Sequence, residues 1–192
     1  VGLDYAATAK EESSPQPFVA GTGLKNRRFQ RDFAENTMKL FSCQGCGQLL
    51  YFENIRCENC GRVLGYLPDL TEISALNPAP DGGWTALAAP QTAYIFCRNN
   101  AAGVCNWMVP ADDPVGFCTA CRHNQVIPDL SVPGNDVLWG KLETAKHRLF
   151  YSLLRLDLPL QNRIDDPQHG LAFEFLADAP ESHASGVLTG HD

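Results

Sequence analysis

The sequence contains no run of about eighteen apolar residues, the length a helix needs to cross the hydrocarbon core of a bilayer, so a helical membrane span is excluded. Basic residues are scarce: 15 Lys and Arg stand against 22 Asp and Glu, a formal net charge of −7. Between residues 38 and 68 the cations are Lys39, Arg56 and Arg62, set against Glu53 and Glu58. Such a balance lacks the basic stripe that supplies most non-specific affinity for nucleic acid, so no nucleic-acid partner is expected. No secretory apolar segment precedes the cysteines, and no βαβ pattern surrounds a Cys-x-x-Cys pair. A disulfide framework and a redox dithiol are therefore the weaker readings, and the expected setting is cytoplasmic, with a protein or peptide as the partner class.

What the chain does have is eight cysteines in two groups of four. Phe41-Ser-Cys-Gln-Gly-Cys-Gly47 and Arg56-Cys-Glu-Asn-Cys-Gly61 are two copies of Cys-x-x-Cys-Gly. Each copy wraps two thiolates around one face of a metal ion, and the closing glycine admits positive φ, so that backbone amides point at the sulfurs. Leu49–Phe52 and Val63–Tyr66 read as strands beside these loops. Cys43, Cys46, Cys57 and Cys60 thus form the ligand set of a zinc ribbon, and four thiolates leave no open position for chemistry.

The second group is Cys97, Cys105, Cys118 and Cys121. Seven residues separate its first two members, so these are expected on opposite arms of a hairpin, with Tyr94–Phe96 entering and Asn106–Val109 leaving. His123 lies near enough in sequence to substitute, but four cysteines already complete a tetrahedral shell. Two structural Zn2+ ions follow as the cofactors. Iron also accepts four thiolates, but neither group carries a cluster-binding pattern.

Residues 1–37 are small, polar and broken by Pro and Gly, and are expected to be disordered, with Met38 read as the natural start. The organisation expected thereafter is a first ribbon at 38–68, a connector at 69–93 holding Trp84 as a packing anchor, a second four-cysteine module at 94–130, and a helix plus strand at 131–192. Asn135 is placed as the helix cap and Pro159 as its stop. Leu138, Leu142, Ala145, Leu149, Leu153 and Leu156 recur at three- and four-residue steps and, widened by Phe150 and Leu154, form the expected buried stripe. Lys141, Glu143, Lys146, His147, Arg148 and Arg155 fall on the face expected to be solvated, which makes His147 a surface residue. Leu171–Leu176 alternates as a strand should. His169, His183 and His191 lie in loops or near the terminus, with nothing to mark them as ligands.

Several uncommon strings occur in a fixed order: Gly103-Val-Cys-Asn-Trp-Met-Val-Pro-Ala-Asp-Asp-Pro114, Phe117-Cys-Thr-Ala-Cys-Arg122, Ile127-Pro-Asp-Leu130, Ala145-Lys-His-Arg-Leu149, Leu153-Leu-Arg-Leu156, Leu158-Pro-Leu160 and Leu188-Thr-Gly-His-Asp192. In these the chain, over about residues 38–192, resembles a bacterial family classed as zinc-binding metallopeptidases with an N-terminal zinc ribbon. The resemblance implies a small, zinc-stabilised α+β fold: two zinc-ribbon or rubredoxin-like β modules, a long amphipathic helix, and the start of a zincin-like domain. In that family a later helix carries His-Glu-x-x-His, whose histidines bind a catalytic zinc and whose glutamate activates water. None of the five histidines here is followed by glutamate and no two lie four apart. The eight cysteines carry over as structural ligands, and no catalytic residue does. The expected function is the zinc-binding N-terminal portion of a metallopeptidase without a complete catalytic site. The alternatives are a stand-alone protein-interaction module presenting Trp84 or Trp107, and, less favoured on charge, a nucleic-acid-binding ribbon.

Overall fold

The computed structural model describes residues 39–80 and 82–177. The expectations for residues 1–37, Met38, His183 and His191 lie outside these residues. The architecture is α+β, with one long helix set against small sheets.

β1 (Phe41–Ser42) and β2 (Leu49–Leu50) pair antiparallel in the register Phe41 to Leu50, and carry the first cysteine loop between them. β3 (Leu64–Leu67), β4 (Glu72–Pro78), β5 (Trp84–Ala86), β6 (Ala93–Phe96) and β7 (Met108–Pro110) follow as a five-stranded antiparallel meander in chain order. Its edges meet: Tyr66 bridges Trp107 in parallel, and the Tyr66 amide donates to the Asn106 carbonyl at 3.0 Å. The meander thereby curls onto itself, which removes unpaired strand edges. Gly65 makes this closure possible, since a Cβ there would stand 2.4 Å from Met108 Sδ.

Residues 69–93 are therefore not the connector expected from their Pro, Ala and Gly content. They supply β4 and β5, and Ile73, Ser74, Ala75 and Ala86 are completely buried. Small side chains suit strands packed on both faces, so composition imitates a linker where the sheet needs close approach. Trp84 is an anchor as expected, half-buried on β5 and edge-on to Phe96 with centroids 5.6 Å apart.

β6 and β7 form the expected hairpin, pairing Tyr94, Ile95 and Phe96 with Pro110, Val109 and Met108. β8 (Asn124–Val126) runs parallel to β9 (Phe173–Glu174), the observed part of the expected 171–176 strand. α1 spans Asn135–Arg155. Its N-cap is Gly134 at φ 93° rather than Asn135, whose side-chain amide donates to the Asp129 carbonyl at 2.9 Å. The helix ends before Pro159: Leu158 N–H donates to Leu153 O, Asp157 N–H donates to Leu154 O, and Asp157 has φ 51°. This is a Schellman ending with aspartate in the left-handed position.

The face that α1 buries is mostly not the one expected, although Phe150 is buried and Leu154 packs against the core as the stripe requires. Trp139, Glu143, Lys146, His147 and Phe150 are buried, whereas Leu138, Leu142, Leu149 and Leu156 are 59%, 49%, 44% and 66% exposed. Lys141, Arg148 and Arg155 are solvated as expected. Periodicity placed a helix here correctly, but it scored leucine as inside and charge as outside. The buried face instead meets polar partners from the second module, which no helical pattern reports. Trp107 is 1% exposed, packed between the tilted rings of Tyr66 at 4.5 Å and His147 at 5.0 Å, and so offers no surface to a partner. Among the described residues no helix is long and apolar enough to cross a membrane.

Candidate metal centres

The two Cys-x-x-Cys-Gly copies fold into matching loops. Cys43 N–H donates to Gln48 O and Gly47 N–H to Cys43 O, while Cys57 N–H donates to Arg62 O and Gly61 N–H to Cys57 O. Gly47 and Gly61 have φ of 77° and 72°, the conformation their place in the motif predicts. The loops face each other, bringing Cys43 Sγ to 3.6 Å from Cys60 Sγ and Cys46 Sγ to 3.6 Å from Cys57 Sγ. Four sulfurs about 2.3 Å from a tetrahedral zinc stand roughly 3.8 Å apart, so this set fits the ion closely.

The electrostatics around the first set differ from side to side. Cys60 is drawn down to about 6 by the Arg62 backbone amide and then by the Arg62 guanidinium. Cys46 is lowered by the Gln48 backbone amide and the Asn59 side chain. Burial pushes Cys43 up to about 12. The thiols whose ionisation is eased thus lie toward the rim of the first set, and the one whose ionisation is opposed lies in the core.

The second set is more enclosed. Cys97, Cys105, Cys118 and Cys121 are all buried, with Cys105 Sγ and Cys118 Sγ 3.8 Å apart. Backbone amides aim at these sulfurs: Trp107 N to Cys105 Sγ, Cys118 N to Cys97 Sγ, and Cys121 N to Cys118 Sγ, each 3.4 Å. Burial raises the Cys105 thiol. His123 lies outside both ligand clusters: its Nδ1 donates to Thr119 O at 2.8 Å, its ring packs on Phe150, and burial lowers its pKa.

His147, expected in solvent, lies against this second set. Its Nε2 is 3.3 Å from Cys105 Sγ and 3.7 Å from Cys121 Sγ. Glu143 Oε2 is 3.7 Å from Cys121 Sγ, so Cys121, Glu143 and His147 form a third group of converging ligand atoms. Glu143 Oε1 accepts from Asn124 Nδ2 at 2.7 Å, Trp139 Nε1 at 3.1 Å and Lys146 Nζ at 2.8 Å. Lys146 also donates to Asn124 Oδ1, and its ammonium lies over the rings of Phe173 and Phe175. The one sequence signal for this arrangement was the i, i+3, i+4 spacing of Glu143, Lys146 and His147, the same spacing that defined the leucine stripe.

Two family models match the chain. Residues 40–132 match the model of a zinc-ribbon domain, and residues 135–192 match the model described as "Putative zinc-binding metallo-peptidase". Uncharacterized proteins of Mycobacterium bovis and of two Mycobacterium tuberculosis strains are 35% identical to it over 156 residues, 79% of this chain and 42% of their own length. The chain thus spans less than half the length of these relatives. No solved structure matches it. A match to a zinc-ribbon domain is thus followed at once by a match to the metallo-peptidase family, in the order in which the cysteines and the helix occur.

Proposed function

We propose that this chain is the zinc-holding N-terminal portion of a metallopeptidase, with two structural Zn2+ ions and no complete catalytic site of its own. Cys43, Cys46, Cys57 and Cys60 hold one ion, and Cys97, Cys105, Cys118 and Cys121 hold the other. Four-thiolate coordination closes each shell, so the ions organise the fold and activate no water. The observation that carries this reading is the seating of α1. The metallo-peptidase match begins at Asn135, where α1 begins, and the helix is joined through Glu143, Lys146 and His147 to the second cysteine set. The ribbon region then serves as the platform on which the peptidase region is mounted.

The exposed leucines of α1 favour a second reading, a protein-interaction module, because a row of large apolar side chains suits a protein surface. Reading the gene past the codon for Asp192 separates the two. A frame that runs on into His-Glu-x-x-His supports the peptidase portion, and a stop codon there leaves the interaction module. In either case the chain as given is expected to bind two zinc ions and to leave an unstructured protein substrate such as casein uncut. Casein cleavage that survives mutation of contaminating proteases would refute the assignment of a non-catalytic portion.

A further inference from the structure

We infer that His147 is a fifth donor at the second zinc centre, placed to complete the shell in the position of Cys105. This rests on the reading that the cysteine set holds zinc. A neutral imidazole and a thiolate bound to one tetrahedral zinc, at about 2.0 and 2.3 Å, stand roughly 3.5 Å apart. The separations of His147 Nε2 from Cys105 Sγ and Cys121 Sγ, 3.3 and 3.7 Å, bracket that value. The ring is held there by Trp107, with centroids 5.0 Å apart, on a helix anchored one turn away by Glu143.

Charge favours His147 over its neighbour Glu143 as the replacement. Glu143 has one oxygen held by three donors, and its other oxygen, which faces Cys121 Sγ, would return a negative charge to a buried anionic centre. Exchanging a thiolate for neutral imidazole lowers the net charge of the centre from −2 to about −1, which reduces the cost of its burial. Access singles out Cys105 as the ligand exchanged. A cavity of about 450 Å³ opens between the two cysteine regions and the helix, and Cys105 and His147 lie side by side in its wall, together with Arg56, Asn100 and Val104. No other cysteine lines it.

The test compares single cysteine variants of the two centres in the same chain. Zinc is counted per purified chain, and X-ray absorption at the zinc edge reports sulfur and imidazole neighbours. Wild type and Cys105→Ser are expected to hold two ions each, with imidazole outer-shell scattering rising in the variant as one sulfur is lost. Cys105→Ser combined with His147→Ala is expected to fall to one ion, and Cys57→Ser, whose centre has no such neighbour among the described residues, to one. A Cys105→Ser chain with one ion, or with two and no gain in imidazole scattering, would overturn the inference, and the scattering result stands even where the double variant fails to fold. Fewer than two ions on wild type would instead overturn the zinc reading, and this inference with it.

Discussion

Lys146 Nζ lies 2.8 Å from Glu143 Oε1, and the two side chains are 1% and 0% exposed. An ion pair this enclosed stands only because every charge has partners: Asn124 bonds both residues, Trp139 donates to the carboxylate, and two phenylalanine rings flank the ammonium. The network ties α1 to β8 and β9, and places His147 one residue further along, against the thiolates. It occupies the face of the helix that an apolar stripe would ordinarily fill.

Breaking this pair from one side is expected to be severe. Glu143→Leu leaves a buried ammonium without its counter-charge and should cost about 3–5 kcal/mol, whereas Glu143→Leu with Lys146→Met should recover much of it. Urea unfolding of both variants measures the difference. Equal losses in the single and the double variant would show that packing rather than charge pairing dominates.

Withdrawal of metal is expected to dissolve both cysteine regions together. Cys43, Cys57, Cys97, Cys105, Cys118 and Cys121 belong to one continuous buried cluster with Tyr66, Trp107 and Phe150. Binding free energy at such sites is folding free energy. Chelation should shift tryptophan emission, from Trp84, Trp107 and Trp139 together, to longer wavelength in one cooperative step, followed by fluorescence. Two separate steps would mean that the regions fold independently.

The exposed leucines should contribute little to the stability of this chain. Leu138→Ser, Leu142→Ser and Leu149→Ser are each expected to change it by no more than about 0.5 kcal/mol while reducing self-association at high concentration. Phe150→Ala on the opposite face should cost about 3–5 kcal/mol. Thermal melts with light scattering test both, and a reversed ranking would mean that the leucine face is the covered one.

Gly65→Ala should cost about 1–3 kcal/mol by forcing Met108 out of the sheet closure. Shortening the neighbour with Met108→Val should restore much of it. A denaturation series on the two single variants and their combination reads the coupling directly.

The two four-cysteine clusters were legible because their geometry is local. Two cysteines and a glycine within five residues determine a loop that presents two sulfurs, whatever the rest of the chain does, and both loops of the first set close with the expected positive φ. The hairpin between Cys97 and Cys105 was legible for the same reason. Residues 69–93 were misread because Ala, Pro and Gly describe a linker and a tightly packed strand equally well.

The sequence by itself determined two four-cysteine groups, a hairpin between the cysteines of the second and a helix after it, because each is written in residues close along the chain. Only the tertiary structure decided that the helix lays its charged face inward. Asn124, Phe173 and Phe175 come from other elements to receive Glu143 and Lys146. Burying a charge is prohibitive until its partners arrive, and these three partners are about twenty residues or more away in sequence, where no periodicity along one helix can register them.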